Sequence, residues 1–85
     1  MAVSISPFDV LGVLAVTRNV PSRTLFCDFD EEADVLYVSF NDPPAIPSNC
    51  IEDDDGIITR YDAGGEVIGF TYLNATKLLA RAKAA

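Results

Sequence analysis

Two dense groups of carboxylates, Asp28, Asp30, Glu31, Glu32 and Asp34, then Glu52, Asp53, Asp54 and Asp55, are the first residues in this 85-residue chain to suggest chemistry. Hard oxygens packed so closely repel one another, and a divalent cation would relieve that repulsion. Laid on the twelve-residue calcium loop, Asp53, Asp55, Gly56, Thr59 and Asp62 fall at positions three, five, six, nine and twelve. Ile51, however, stands at position one, where an oxygen ligand is required, and the loop closes on Asp62 rather than on the longer glutamate. The expectation is therefore a bend leading into a strand, with no resident metal. Glu52, Asp53, Asp54 and Asp55 are kept only as a weak divalent site. The first group reads as a solvated turn whose short acids bond their own backbone.

Nucleophilic chemistry is poorly supplied. The chain has no histidine, so neither Cys27 nor Cys50 has an imidazole base, and their separation fits no zinc or redox spacing. Gly64-Gly65 is followed by a strand-like run rather than a helix, which removes a phosphate cradle. No tryptophan is present to stack a sugar, and a dozen acids single out no acid and base pair. A non-enzymatic protein without a cofactor is expected.

The charge is unevenly spread. Net charge is -7, but residues 28–66 hold twelve of the thirteen acids against Arg60 alone, a local charge of -11, while the flanking segments carry +1 and +3. Such a middle repels phosphate backbones, which proteins bind through Lys and Arg, so nucleic acid is not an expected partner. A basic protein is.

These acids must be placed by elements, and the sequence marks them. Ser6-Pro7-Phe8-Asp9 has helix-start grammar, with a Ser cap, Pro in the first turn and an early acid, and a helix would run to about Asn19. Gly12 and the β-branched Val10, Val13, Val16 and Thr17 oppose it, so a strand is the alternative. Period-two alternation marks four strands, over residues 24–30, 35–41, 56–62 and 66–73. Residues 30–34 are short enough to join the first pair as a hairpin, and Asp62-Ala63-Gly64-Gly65 joins the last pair. The proline-rich segment 41–48 ends a strand and crosses the molecule. Asn74 caps a final helix, with Leu73 and Leu78 as its hydrophobic staple, and Leu78, Leu79 and Ala82 can face the sheet. The expected class is α+β: a small antiparallel four-stranded sheet with an N-terminal and a C-terminal helix. Residues 1–23 form a helical extension, and residues 24–85 form the sheet and last helix of a single compact domain.

A chain of 9.2 kDa hides only about 63% of its extended surface on folding, so the interior is thin. The first element is apolar on every side, and an element of that kind must be covered from more than one direction. A homo-oligomer, in the simplest case a dimer, is expected, with Phe8, Leu11, Val13 and Leu14 at the contact. No Lys or Arg precedes Arg18, which does not suit a secretory signal, and the apolar run 10–16 is too short to cross a bilayer. Two ordinary thiols in a reducing cytoplasm are expected rather than a disulfide.

The central stretch closely resembles a bacterial family of domains of unknown function, number 2283. The resemblance rests on Glu32-Ala33-Asp34 with Leu36-Tyr37, on Asp54-Asp55-Gly56-Ile57, and on the run from Val67 to Thr76, and it covers about residues 26–78. It implies a small antiparallel sheet with a C-terminal helix, and no known activity. It also implies an antitoxin-like member of a two-gene pair. The expected function is thus a protein–protein interaction module that binds a basic partner through Asp30, Glu31, Glu32, Asp34, Glu52, Asp53, Asp54 and Asp55. A divalent-cation or small-ligand domain using the same acids is the alternative.

Overall fold

The computed structural model describes residues 4–41 and 43–84. Ser6 accepts the Phe8 amide at 3.2 Å through its hydroxyl and the Asp9 amide at 3.0 Å through its carbonyl, which starts helix α1, Pro7–Val10. A 3-10 turn, Leu11–Val13, and helix α2, Leu14–Thr17, continue it. The helical reading holds over the strand alternative, but Gly12 and the surrounding valines break it into short pieces, as their weak helix preference dictates.

Five strands follow, where four were expected. They are β1 (Phe26–Asp30), β2 (Val35–Ser39), β3 (Asn49–Glu52), β4 (Ile57–Tyr61) and β5 (Val67–Leu73). Helix α3, Ala75–Ala84, ends the described chain. All pairings are antiparallel, and the spatial order is β1-β2-β5-β4-β3. The additional strand is β3, which corrects the four-stranded reading. Its four residues are all exposed at a sheet edge, so no buried face imposed the alternation that would have revealed it. The proline-rich crossing carries the chain from β2 to that far edge, and Asp42 within it lies outside the described residues.

The last strand to form in sequence is thus the central one. Seven residues long, it contributes Ile68, Gly69 and Thr71 to the buried set. Val20, Val35 and Phe40 join them, yet among the described residues no side chain is completely enclosed. Phe40 meets Phe70 edge-on at 5.8 Å between ring centroids, and Phe70 lies 6.1 Å from Tyr72. Pairing places Phe29, Leu36, Ile57 and Tyr72 on the same sheet face as Cys27, Val38, Thr59 and Phe70. Gly69, Arg60, Ser39 and Cys50 share the other face. No described helix is long and apolar enough to cross a membrane.

Candidate interaction surfaces

The turns account for three of the acids. Asp53 accepts the amides of Asp55 and Ile57 at 2.9 and 3.0 Å through one carboxylate oxygen, and Asp62 accepts those of Gly64 and Glu66, both at 2.9 Å. In each turn a glycine three residues later, Gly56 or Gly65, takes a φ of 83° that a side chain would strain. Asp30 accepts the Ala33 amide at 3.1 Å in the β1–β2 turn. The same Asp-x-x-Gly device is therefore used twice, and its carboxylates are committed to their own backbone. Among the described residues no three acidic or thiol groups gather where a metal ion could be held.

Asp34 does something the sequence reading missed. Its carboxylate accepts the Thr76 amide at 3.2 and 3.3 Å and the Thr76 hydroxyl at 2.8 Å, while its carbonyl accepts the Ala75 amide at 2.9 Å. Asn74 does stand at the cap position of α3, since its carbonyl accepts the Leu78 amide at 3.0 Å. The oxygen that meets the free N–H groups of the first turn, however, comes from a hairpin forty-two residues away. Asp34 and Asn74 both hold left-handed backbone, at φ 56° and 54°, which Asp and Asn tolerate better than most side chains.

Strand order then gathers the two acid groups. Val35 pairs with Leu73 and Ile57 with Tyr72, so the β1–β2 and β3–β4 turns flank the same end of β5. Three strand spacings separate the turn centres, about 14 Å. All eight expected partner-binding acids, Asp30, Glu31, Glu32, Asp34, Glu52, Asp53, Asp54 and Asp55, occupy this one end, and all but the half-buried Asp34 are exposed. One ion pair is made there, Arg81 to Asp55 at 2.9 Å, and it joins α3 to the β3–β4 turn.

A second surface lies beside the first. Helix α3 buries none of its residues. Between it and the sheet runs an open groove of about 1040 Å³, walled by Phe29, Leu36, Ile57 and Tyr72 below and by Leu78, Leu79 and Ala82 above, with Asp55 and Arg81 also on its lining. Ala75, Leu78, Leu79 and Ala82 recur at helical spacing, so the stripe expected to meet the sheet does turn toward it but does not close the gap. Phe8, Leu11, Val13 and Leu14, expected at an oligomer contact, are exposed on the N-terminal helix, Phe8 at 81%. The structure does not bring them to the groove of their own chain.

The thiols stay apart. Cys27 and Cys50 are free, on β1 and β3, the two opposite edges of the sheet, and point to opposite faces. That separation, about 19 Å across four strand spacings, excludes a bridge within the chain. Partial desolvation raises the Cys27 thiol above its ordinary 9.0, which keeps it protonated, and unreactive as a nucleophile, at neutral pH. Tyr72 is likewise raised above 10.0, first by burial and then by the charge Cys27 would carry. Both groups hold their protons more tightly folded than unfolded, so their contribution is present below the unfolded values and is lost as pH climbs through the folded ones. Melting temperature followed upward from pH 8 should therefore fall once Cys27 passes its ordinary 9.0. A Cys27→Ser variant should delay that fall, and an unchanged profile would contradict the assignment.

The family described as protein of unknown function (DUF2283) matches residues 27–75, more than half of the chain, and the chain belongs to that family. No curated protein and no solved structure matches it.

Proposed function

We propose that this member of the family is a non-enzymatic protein–protein interaction module whose acidic end receives a basic partner protein. One observation carries the reading: two acid groups about twenty residues apart in sequence share one end of the sheet, with a single ion pair to a basic side chain among the described residues. Such a field speeds encounter with a positively charged surface and disfavours acidic competitors. Glu31, Glu32, Glu52 and Asp54 carry it best, since Asp30, Asp34 and Asp53 serve the backbone and Asp55 serves Arg81. The antitoxin-like role suits this arrangement, with a basic ribonuclease-like toxin as the class of partner. Unpaired exposed thiols suit a reducing cytoplasm as the site of action.

Co-expression with the product of the adjacent gene tests the proposal. A complex that survives purification should weaken at least tenfold when Glu31, Glu32 and Asp54 are all changed to lysine, and the wild-type complex should weaken as salt is raised. These three side chains make no capping bond, so the fold should remain. A complex indifferent to both changes would remove the acidic end as its binding surface.

A further inference from the structure

The described chain exposes far more surface than a finished molecule of its size. Its accessible area is 6495 Å², whereas a compact 9.2 kDa monomer shows roughly 4,900 Å². The excess, about 1,600 Å² per chain, falls within what each subunit of an obligate homodimer buries. The excess also has a location. The stretch from Pro7 to Val16 is exposed throughout, and so is much of the groove beneath α3.

These two surfaces match in form. Residues 7–17 make a rod about 16 Å long, and the ten residues of α3 bound a groove about 15 Å long. The rod carries Phe8, Leu11 and Leu14 with only Asp9 charged, so enclosing it strands almost no charge away from water. The groove offers an apolar floor and wall, with its ion pair at the rim. A small molecule fits it poorly: the volume stands at the upper limit of ligand pockets, and few polar groups converge inside to orient a ligand.

The rod does not line its own groove, and its C-terminal end is anchored elsewhere. Val20 is buried, the Ser22 hydroxyl donates to the Phe40 carbonyl, and Arg23 donates to the Val20 carbonyl at 2.8 Å. This fixes the rod's C-terminal end beside the end of β2, whereas α3 starts at the opposite end of the sheet, beside the beginning of β2. A second copy related by a two-fold axis can present its rod to that groove. We infer that the protein is a reciprocal homodimer in which residues 5–17 of each copy lie in the groove between α3 and the sheet of the other. This groove adjoins the acidic end and shares Asp55 with it at the rim, but its apolar floor and wall are separate from Glu31, Glu32 and Asp54, so the inference stands independently of the partner proposed for that end.

Sedimentation at micromolar concentration tests the inference on the full chain. The wild type should sediment as a dimer, and Leu11→Asp and Leu79→Glu, which spoil the rod and the groove separately, should each weaken association at least a hundredfold. Mixed in equal amounts, the two variants retain one intact rod and one intact groove. They should form a heterodimer at concentrations where neither associates alone. A monomeric wild type, or a Leu79→Glu chain as dimeric as wild type, would overturn the assignment, the latter by placing the contact between rods. Should a groove variant fail to fold, a benzoylphenylalanine at position 8 decides instead. Cross-linking to residues 75–84 of a second copy is expected, and cross-linking to residues 5–17 would overturn it.

Discussion

Gly69→Ala should destabilise the protein by about 3 kcal/mol, at the upper end of what overpacking usually costs. A methyl group at that position in the central strand would meet the Val38 carbonyl oxygen of β2 and the Arg60 guanidinium reaching over from β4. Arg60 can withdraw, but the Val38 carbonyl is main chain in a paired strand, so relief would require the β2–β5 ladder to part. Arg60 donates to that same carbonyl at 2.6 Å, using the glycine as its passage across the sheet. Arg60→Ala by itself should cost about 1 to 2 kcal/mol through the lost charged hydrogen bond and packing. The double variant should then be more stable than the sum of the two losses, because one obstacle to the new methyl group has gone. Urea unfolding at fixed protein concentration measures all three. A Gly69→Ala chain within 0.5 kcal/mol of wild type would show that the strands yield more easily than this geometry allows.

The second large effect belongs to Asp34. Removing its carboxylate as Asp34→Ala should cost about 2 kcal/mol, since α3 loses its cap and alanine is placed in left-handed backbone. Helix α3 depends heavily on this contact, for it is otherwise tied to the sheet by the exposed Arg81 to Asp55 pair, which in water contributes little. Loss of helical circular dichroism should therefore accompany the loss of stability. Asp34→Asn keeps one acceptor oxygen and the tolerance for positive φ, and should retain about half of the stabilisation. Thr76→Val removes the hydroxyl alone and should cost less than either. If Asp34→Ala left both stability and helix content intact, the remote cap would be a passive contact.

Locally determined features were legible in the residue order. The turns at Asp53 and Asp62 follow from Asp-Gly and Gly-Gly chemistry, because the acid bonds amides within four residues and the glycine supplies its φ without help. The helix start at Ser6 was equally local, whereas the position of the start at Asn74 was legible but its capping oxygen, from Asp34, was not. The fifth strand was not, because Asn49–Glu52 lies exposed at an edge, between prolines and a carboxylate run, and draws its conformation from pairing with β4. Arg60 illustrates the same limit. In the sequence it is the lone base among twelve acids, which suggests an ion pair, yet the structure directs its guanidinium to a backbone carbonyl.

What the sequence by itself determined is the supply: a strongly negative middle, self-bonded turns, alternating strands and an apolar N-terminal segment on which Asp9 is the one charged residue. Only the tertiary structure decided the arrangement. Placing β5 between the two hairpins brings both acid groups to one end, sets Asp34 against Thr76, and leaves α3 standing over an uncovered groove. Strand order is fixed by pairing between distant segments, and that pairing depends on how whole faces pack rather than on any neighbouring residues, so short-range patterns do not contain it.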